Sequence, residues 1–600
     1  MSEEKHQNQI INEIVSKTYK VTDFEYTNHN FTSFKKYQEK FNLFKTDVDK
    51  FWMLESDELL WFKKTEKVRT GKFFNSVWFN NSRTNITINC IDRHLSNDNK
   101  NKAAIIWESE SGKNWILTYQ LLYSYVNRTA NTIKKLGFRK GDKACIICGS
   151  MAETIISALA CARLGITFNI LNPIISKPSL VKRLQVGKFN LIILSDIIYR
   201  KGLLIEVKNK VDDSLKEVSF SSLKLIFRRS KNYDLSVQPE VDFLASDFFD
   251  KVSDECPPLK LEGKHPLFSF FDYDKDGKIL EKFFPTAGFM VQTYTSAKYA
   301  FDFTSDDIFL NNSDLSSLVG IAYGIFAPLL HGISNFIYEG LPNFPSQDRI
   351  WKIISNYKIT KFLSESYIIK ALTIADDINF NANELASLKL ISVIGNQLNE
   401  NDWARIFNKV CKNKIPLTTC KISNDFGNIL FSDIPGITEI TPGFININFP
   451  SVNMDLVNSS MKSINKAEGI IAYNDSCPSL IKKNLVSDNL KKKIYLTDYT
   501  GFKDDEKIKI TGRLDDKLEI AGEIISLKEI QEILSEHPKV KSCRIETKFD
   551  SILSKVPIAY VELNDSNDAT MLFKEELRNL VEHKISTAAK PLEVIFENTP

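Results

Sequence analysis

An α/β protein is predicted, with a large doubly wound N-terminal body and a small α+β C-terminal domain. Three observations predict it. Short β-branched runs alternate with amphipathic helical stretches from residue 101 onward. The pattern changes character after Thr511-Gly-Arg-Leu-Asp-Asp516, where paired short strands and two helices follow. The chain also has 600 residues, more than one ordinary core accommodates.

The elements follow in order. Residues 1–100 read as a helical and loop-like extension, with Lys50-Phe-Trp-Met and Leu60-Trp-Phe as aromatic core anchors. Strands are expected at Ala103 to Trp107, Lys143 to Cys148, Ile166 to Leu171 and Leu191 to Leu194. Ser150-Met-Ala-Glu153 has capping-box spacing ahead of Ile155, Ile156, Leu159 and Ala162, which recur at helical period. Ser176-Lys-Pro-Ser opens another helix with proline in its first turn. This strand, helix, strand rhythm predicts a parallel sheet covered on both faces. It resumes with strands near Ile333, Ile359 and Leu388, separated by helices over 347–357, 367–375 and 400–411. The body is expected to span 101–514. The small domain, 515–600, is expected to pair Lys507–Ile510 with Lys517–Ile520, to open a helix at the second capping box, Ser526-Leu-Lys-Glu529, and to end on a strand at Glu593–Phe596.

Composition narrows the function. With 43% hydrophobic and 26% charged residues and a formal net charge of +3, the chain is globular and carries no nucleic-acid footprint. The first residues, Met1-Ser-Glu-Glu-Lys-His, lack the apolar run of a signal peptide, and no stretch is apolar enough to span a membrane. Glu597-Asn-Thr-Pro600 matches no terminal address signal, so a cytoplasmic location is expected, with mitochondrion and nucleus left open. Nine cysteines suit a reducing compartment. Cys145 and Cys148 form a CxxC, but on a strand they point to opposite faces, and no second pair completes a zinc site.

A set of short motifs resembles the AMP-forming acyl-CoA synthetases, the acetyl-CoA synthetases above all. Asn89-Cys-Ile-Asp-Arg-His-Leu95, Ala104-Ile-Ile-Trp-Glu108, Leu136-Gly-Phe-Arg-Lys-Gly-Asp142 and Ala158-Leu-Ala-Cys-Ala-Arg-Leu-Gly165 run in that family's order. Tyr338-Glu-Gly-Leu-Pro342, Asp348-Arg-Ile-Trp351, Ile510-Thr-Gly-Arg-Leu-Asp-Asp516 and Glu536-His-Pro-Lys-Val540 continue it. The resemblance runs from about residue 30 to the end and implies the adenylate-forming ligase fold. It also implies ATP, AMP and CoA as ligands, magnesium as the metal, and a two-step reaction. Acetate would attack the α-phosphate of ATP to give acetyl-AMP and pyrophosphate. A rotation of the small domain would then let the CoA thiol displace AMP.

Site residues come over by position. Asp498 falls where the family holds the ribose hydroxyls, and Arg513 where it contacts phosphate. Asp515 falls on the hinge, and Gly395 keeps the glycine of the adenine-side Gly-Glu-Pro. Asp425 replaces a glutamate used toward magnesium, on a shorter arm. Arg200 matches one of two arginines meeting the CoA 3′-phosphate, with Leu203 at the partner position, and Gly522 lies near the CoA tunnel. Leu318, Val319, Ile394 and Ile422 would wall an aliphatic acyl pocket.

The departures gather at the chemistry. Where the family has a Ser/Thr/Gly phosphate loop, Phe271-Asp-Tyr-Asp-Lys-Asp-Gly-Lys-Ile-Leu-Glu281 stands, keeping only Gly277 and Lys278. Small residues let backbone donors approach phosphate oxygens. An aspartate there repels a phosphate by about 4 kcal/mol at 4 Å and an effective dielectric near 20. Gly-Glu-Pro has become Gly395-Asn-Gln397, Ile422 stands for a pocket-closing tryptophan, and Ile524 for an arginine. The sequence ends at Thr599-Pro600, where the family continues into its Lys-Thr-Arg-Ser-Gly-Lys segment with the adenylation lysine. Asp272, Asp274, Asp276, Gly277 and Ile279 also match the first eight positions of a calcium loop. Phe283 in place of the twelfth-position glutamate, and no flanking helices, leave calcium unexpected and a charged, solvated loop as the alternative. The readings left open are an active short-chain acyl-CoA ligase, a catalytically impaired relative that binds nucleotide, acyl or protein ligands, and a calcium-loop protein.

Overall fold

The computed structural model describes all residues except 1–9, 72–74, 97, 375–384, 481–489, 492–493 and 598–600. The opening residues read for a leader and the final Thr599-Pro600 lie outside the described residues.

Two large sheets build the body. In the first, strands run in the order Asp242–Leu244, Leu223–Phe227, Leu191–Ser195, Lys143–Ile147, Thr167–Ile170, Pro266–Tyr273 and Ile279–Pro285. All neighbours are parallel except the last two, which form an antiparallel hairpin. The second runs Asn428–Ser432, Leu417–Ser423, Leu390–Ile394, Lys361–Glu365, Ile308–Asn311, Ser334–Glu339, Ala103–Ser109 and Asn114–Thr118, parallel within and antiparallel at both edges. The predicted alternation is therefore present. Ala144 and Ile146 face one apolar cluster while Cys145 and Ile147 face another, so both faces of the first sheet are covered. Cys145 and Cys148 are both buried and belong to different clusters, as strand geometry requires.

The main core lies between the two sheets and wraps the helix Thr286–Phe301, which is buried along nearly its whole length. Its close packing shows at Gly288, where a Cβ would sit 1.9 Å from the carbonyl oxygen of Pro478. The N-terminal extension is strapped to this helix at Asp302. That carboxylate accepts from the amides of His29 and Asn30 and from the hydroxyl of Tyr26.

Several local expectations are corrected. The box at Ser150–Glu153 does not cap; the helix Ala152–Leu164 starts after Met151 with no side-chain cap. Its burial on all sides makes packing, not capping, the source of its stability. Phe51 and Trp52 are core, but Leu60 and Phe62 are exposed. Lys507–Arg513 pairs with Ile494–Asp504, and Lys517–Ile520 with Glu523–Ser526, rather than with each other. The first of these pairs belongs to a six-stranded antiparallel sheet over residues 445–513 with its own core around Leu456, Ile471 and Tyr473. Alternating burial over such short strands carries no order of pairing, which long connections decide. The small domain holds a three-stranded sheet, the helices Leu527–Ser535 and Met571–Lys584, and a separate core built on Ile530, Leu534, Leu577 and Val561. Ser526 caps its helix as expected, its side chain accepting from the Glu529 amide at 3.3 Å.

Replacing a helical glycine by alanine ordinarily stabilises by about 1 kcal/mol. For Gly288→Ala the opposite sign is expected, a loss of about 1–3 kcal/mol from overpacking against Pro478. Denaturant titration of the variant checks this.

Candidate nucleotide site

The hairpin Pro266–Tyr273 and Ile279–Pro285 carries the aspartate-rich segment 271–281. Its turn is closed by Asp274, whose Oδ1 accepts from the amides of Asp276 and Lys278, both at 2.9 Å. Gly277, at φ +81°, is buried against Ser526 and Lys528 of the small domain. Lys528 donates to the carbonyl of Lys275 at 2.7 Å. Lys278 is exposed. The expected charged, solvated loop is thus a docked hairpin, and Asp272 does not lie on its surface.

Asp272 is 3% exposed. Its Oδ2 lies 2.5 Å from the Lys282 ammonium, its Oδ1 3.2 Å from that of Lys517, and Oδ1 also accepts from the Tyr273 amide. Burial would raise this carboxyl, but Lys282 and Lys517 outweigh it and hold it below the ordinary range. Asp272 and Lys282 are diagonal neighbours on the hairpin, since Asp272 lies opposite Leu280.

Asp425 and Asp498 come to the same cavity, of about 400 Å³, with Arg513 and Asp515. Burial pushes the Asp425 carboxyl up, and its Oδ2 accepts from Tyr473 at 3.4 Å. Asp498 is open to the cavity; desolvation within the cleft, with Asp515 and Asp425 nearby, pushes its carboxyl up to about 6. Arg513 is held by Asp515 at 2.7 and 2.5 Å and by the Tyr499 hydroxyl at 2.7 Å.

The adenine-side residues line an adjoining cavity of about 540 Å³ that shares Tyr499, Arg513, Asp515 and Lys517 with the first. Gly395 accepts from Lys421 at 3.3 Å, and Lys421 pairs with Glu519 at 3.1 Å. Burial would lower the Lys421 ammonium, but Glu519 and Tyr499 hold it above its ordinary value. Asn396 donates to the Glu519 carbonyl at 3.1 Å. Leu318, Val319, Ile394 and Ile422 are all buried in the main core, beside a π-helical turn over Gly320–Phe326. Gly522, at φ +78°, brings the small-domain hairpin to Glu365, whose carboxylate a Cβ there would meet at 3.2 Å. Burial, reinforced by Glu519, pushes Glu365 up to about 8. Arg200 ends the strand Ile197–Arg200 and acts on Tyr367, as Glu523 next to Gly522 also does.

The structure therefore gathers Asp498, Arg513, Asp515, Asp425 and Asp272 in one cleft, with Gly395 beside it. Asp274 and Asp276, in the turn, line the mouth of the same cavity, and among the described residues no three His, Cys, Asp or Glu side chains gather to hold a metal ion. Lys282, Lys517, Lys421, Glu519 and Glu365 are site residues that sequence reasoning missed. Lys282 was findable: it shares parity with Phe284 on a strand, so it points inward and needs a countercharge.

A two-sheet α/β body with a cleft closed by a small α+β domain is the architecture of the adenylate-forming ligases. Residues 92–261 and 285–454 match the AMP-binding enzyme family, residues 37–90 the acetyl-coenzyme A synthetase N-terminus, and residues 529–599 the AMP-binding enzyme C-terminal domain. The chain belongs to the AMP-binding enzyme family, within its acetyl-CoA synthetase group. The acetyl-coenzyme A synthetase of Chlorobaculum tepidum is 30% identical over 576 residues, covering 94% of this chain and 87% of that protein. Those of Leptospira biflexa and Gemmatimonas aurantiaca are 29% and 27% identical, covering 93% and 91% of this chain and 88% and 86% of theirs. The family match breaks between residues 261 and 285, the stretch that holds the aspartate hairpin. Among the described residues no helix is long and apolar enough to cross a membrane.

Asp498 supplies a test. Its carboxyl is raised, so the full acceptor charge is present above about pH 6 and is lost as pH falls through it. Adenosine, which has no phosphate to titrate, should bind about tenfold more weakly below that pH, the scale of one charge-assisted hydrogen bond. Asp498→Asn should bind weakly and without this dependence, as calorimetric titration across pH would show.

Proposed function

We propose that this chain is an acetyl-CoA synthetase-like nucleotide-binding protein that holds AMP in the Asp498–Arg513 cleft and is impaired in forming acetyl-AMP. The observation that carries the reading is the buried Asp272 on the phosphate-loop hairpin, both of its oxygens engaged by lysines. Ribose hydroxyls can donate to Asp498, and Arg513 can turn from Asp515 to an α-phosphate. Asp272, Asp274 and Asp276 crowd the space where β- and γ-phosphates would follow, and each uncompensated carboxylate–phosphate pair is repulsive by about 4 kcal/mol at 4 Å. The hairpin's small-residue cradle is absent, which removes backbone donors from the charge developing in the adenylation step.

The names of the similar proteins favour an acetyl group, CoA and AMP as the ligand classes, and the family resemblance adds ATP as the source of the AMP. CoA would approach past Arg200 and Gly522, and a short acyl group would lie against Leu318, Val319, Ile394 and Ile422. The close packing of those four side chains argues for a small acyl group or none. The expected small-domain boundary at Asp515 serves this reading, since Arg513, Asp515 and Lys517 tie the hinge to the cleft.

The test is calorimetry beside pyrophosphate exchange. AMP should bind at least tenfold more tightly than ATP, and exchange with acetate, propionate or butyrate should run about 10²–10³ slower than in the Chlorobaculum tepidum relative, the cost of lost oxyanion-type donors. Exchange at the relative's rate would make the chain an active short-chain acyl-CoA ligase.

A further inference from the structure

The phosphate side of the cleft carries its own cation. Six aspartates and four basic side chains line the cavity. Arg513 is held by Asp515, and Lys275 is exposed on the turn. Lys517 bridges Asp272 at 3.2 Å and Asp515 at 4.0 Å. Lys282 differs from these three. It is 5% exposed, and among the described residues Asp272 is the one polar group within bonding distance of its ammonium. An ammonium has three donors, so two are left for a ligand in the cavity that Lys282 shares with Asp425 and Asp498.

The magnesium that the family implies does not fit this arrangement. A magnesium ion at a nucleotide site takes one or two free carboxylates beside the substrate phosphates and keeps several waters. Asp272 has both oxygens committed to lysines, Asp425 is drawn toward Tyr473, and Asp498 is the ribose acceptor in the reading above, so none of these three carboxylates is left free for the ion. Asp272 in contact, with the charges of Asp425 and Asp498 in the same cavity, instead holds the Lys282 ammonium above its ordinary value against the pull of burial.

We infer that Lys282 takes the place of a divalent cation in this site, so that nucleotide phosphate is bound by a resident ammonium and without metal. The inference rests on the nucleotide reading above. It explains how an aspartate-rich hairpin can coexist with a phosphate site: the lysine neutralises Asp272 in the free protein and offers its remaining donors to an α-phosphate oxygen. A lysine contributes a single positive charge where magnesium contributes two, which suits a monophosphate better than a triphosphate.

The experiment measures AMP affinity of the full chain by calorimetry, once in EDTA and once in magnesium chloride, with manganese(II) binding followed separately by electron paramagnetic resonance. Wild-type protein should bind AMP with less than about a twofold difference between the two conditions and should not bind manganese(II) in the cleft. Lys282→Gln should lose about tenfold or more in AMP affinity in EDTA. It should also gain manganese(II) binding, because Asp272 then has one oxygen free beside Asp425 and Asp498 and the cavity has lost a positive charge. Lys282→Arg, which keeps the charge, should retain metal-independent binding. AMP binding that requires magnesium, manganese(II) bound by the wild-type cleft, or unchanged AMP affinity in Lys282→Gln would each overturn this inference alone. Absence of AMP binding in both conditions would overturn the nucleotide reading and this inference together. The wild-type arms decide the matter even if the glutamine variant does not fold.

Discussion

Asp272 divides its carboxylate between Lys282, on its own hairpin, and Lys517, on the small domain. A charge this deeply buried is tolerable only when paired and hydrogen-bonded. The consequence is geometric. The hairpin cannot move without exposing or stranding Asp272, and the small domain cannot turn away without withdrawing Lys517. The cleft between them is fixed by the same interaction. Two further contacts share this logic. Lys421 on the body meets Glu519 on the small domain at 3.1 Å, and Lys182 meets Glu529 at 2.7 Å. Where the pair is buried, as for Lys421 and Glu519, it contributes little net stability over an apolar filling, but removing one partner costs about 3–5 kcal/mol; Lys182 is half exposed and adds less. These contacts specify one docking of the domains rather than strengthening it.

Two lysine pairs enter the cleft, Lys282 and Lys517 on Asp272 and Lys421 on Glu519. Asp272 and Lys421 each meet an opposite charge on the hairpin Lys517–Ser526, Lys517 for Asp272 and Glu519 for Lys421. A cleft that had simply decayed would leave unpaired buried charges. Here Asp272 and Lys421 are each paired across the domain boundary. The interruption of the family match between residues 261 and 285 marks the segment of Asp272 from the side of sequence comparison.

Much of the fold was legible in the sequence. Parallel strands buried on both faces give short continuous apolar runs, such as Leu191 to Leu194, and these are hard to mistake when helices with 3.6-residue periodicity lie between them. Ser176 and Ser526 announced their helices by cap chemistry, whereas Ser150 did not, because total burial of Ala152–Leu164 made a cap unnecessary. The antiparallel sheet over 445–513 was missed because its order depends on distant pairings. In the site, Asp498, Arg513 and Asp515 were readable from the motifs around them. Lys517, Lys421 and Glu519 were not, since their partners are 98 to 245 residues away along the chain, and Lys282 was not marked by any motif. Inward strand parity was the one signal available, and it applied to Lys282 alone.

A double-mutant cycle between Asp272 and Lys517 tests the central claim, that one buried ion centre sets both the phosphate hairpin and the domain docking. Asp272→Asn, Lys517→Met and the double variant would be compared for unfolding free energy in denaturant. The account predicts a coupling of about 0.5–3 kcal/mol, with the double variant less destabilised than the two single changes added together. Additivity within about 0.3–0.5 kcal/mol would mean that the two residues act independently, and would contradict it.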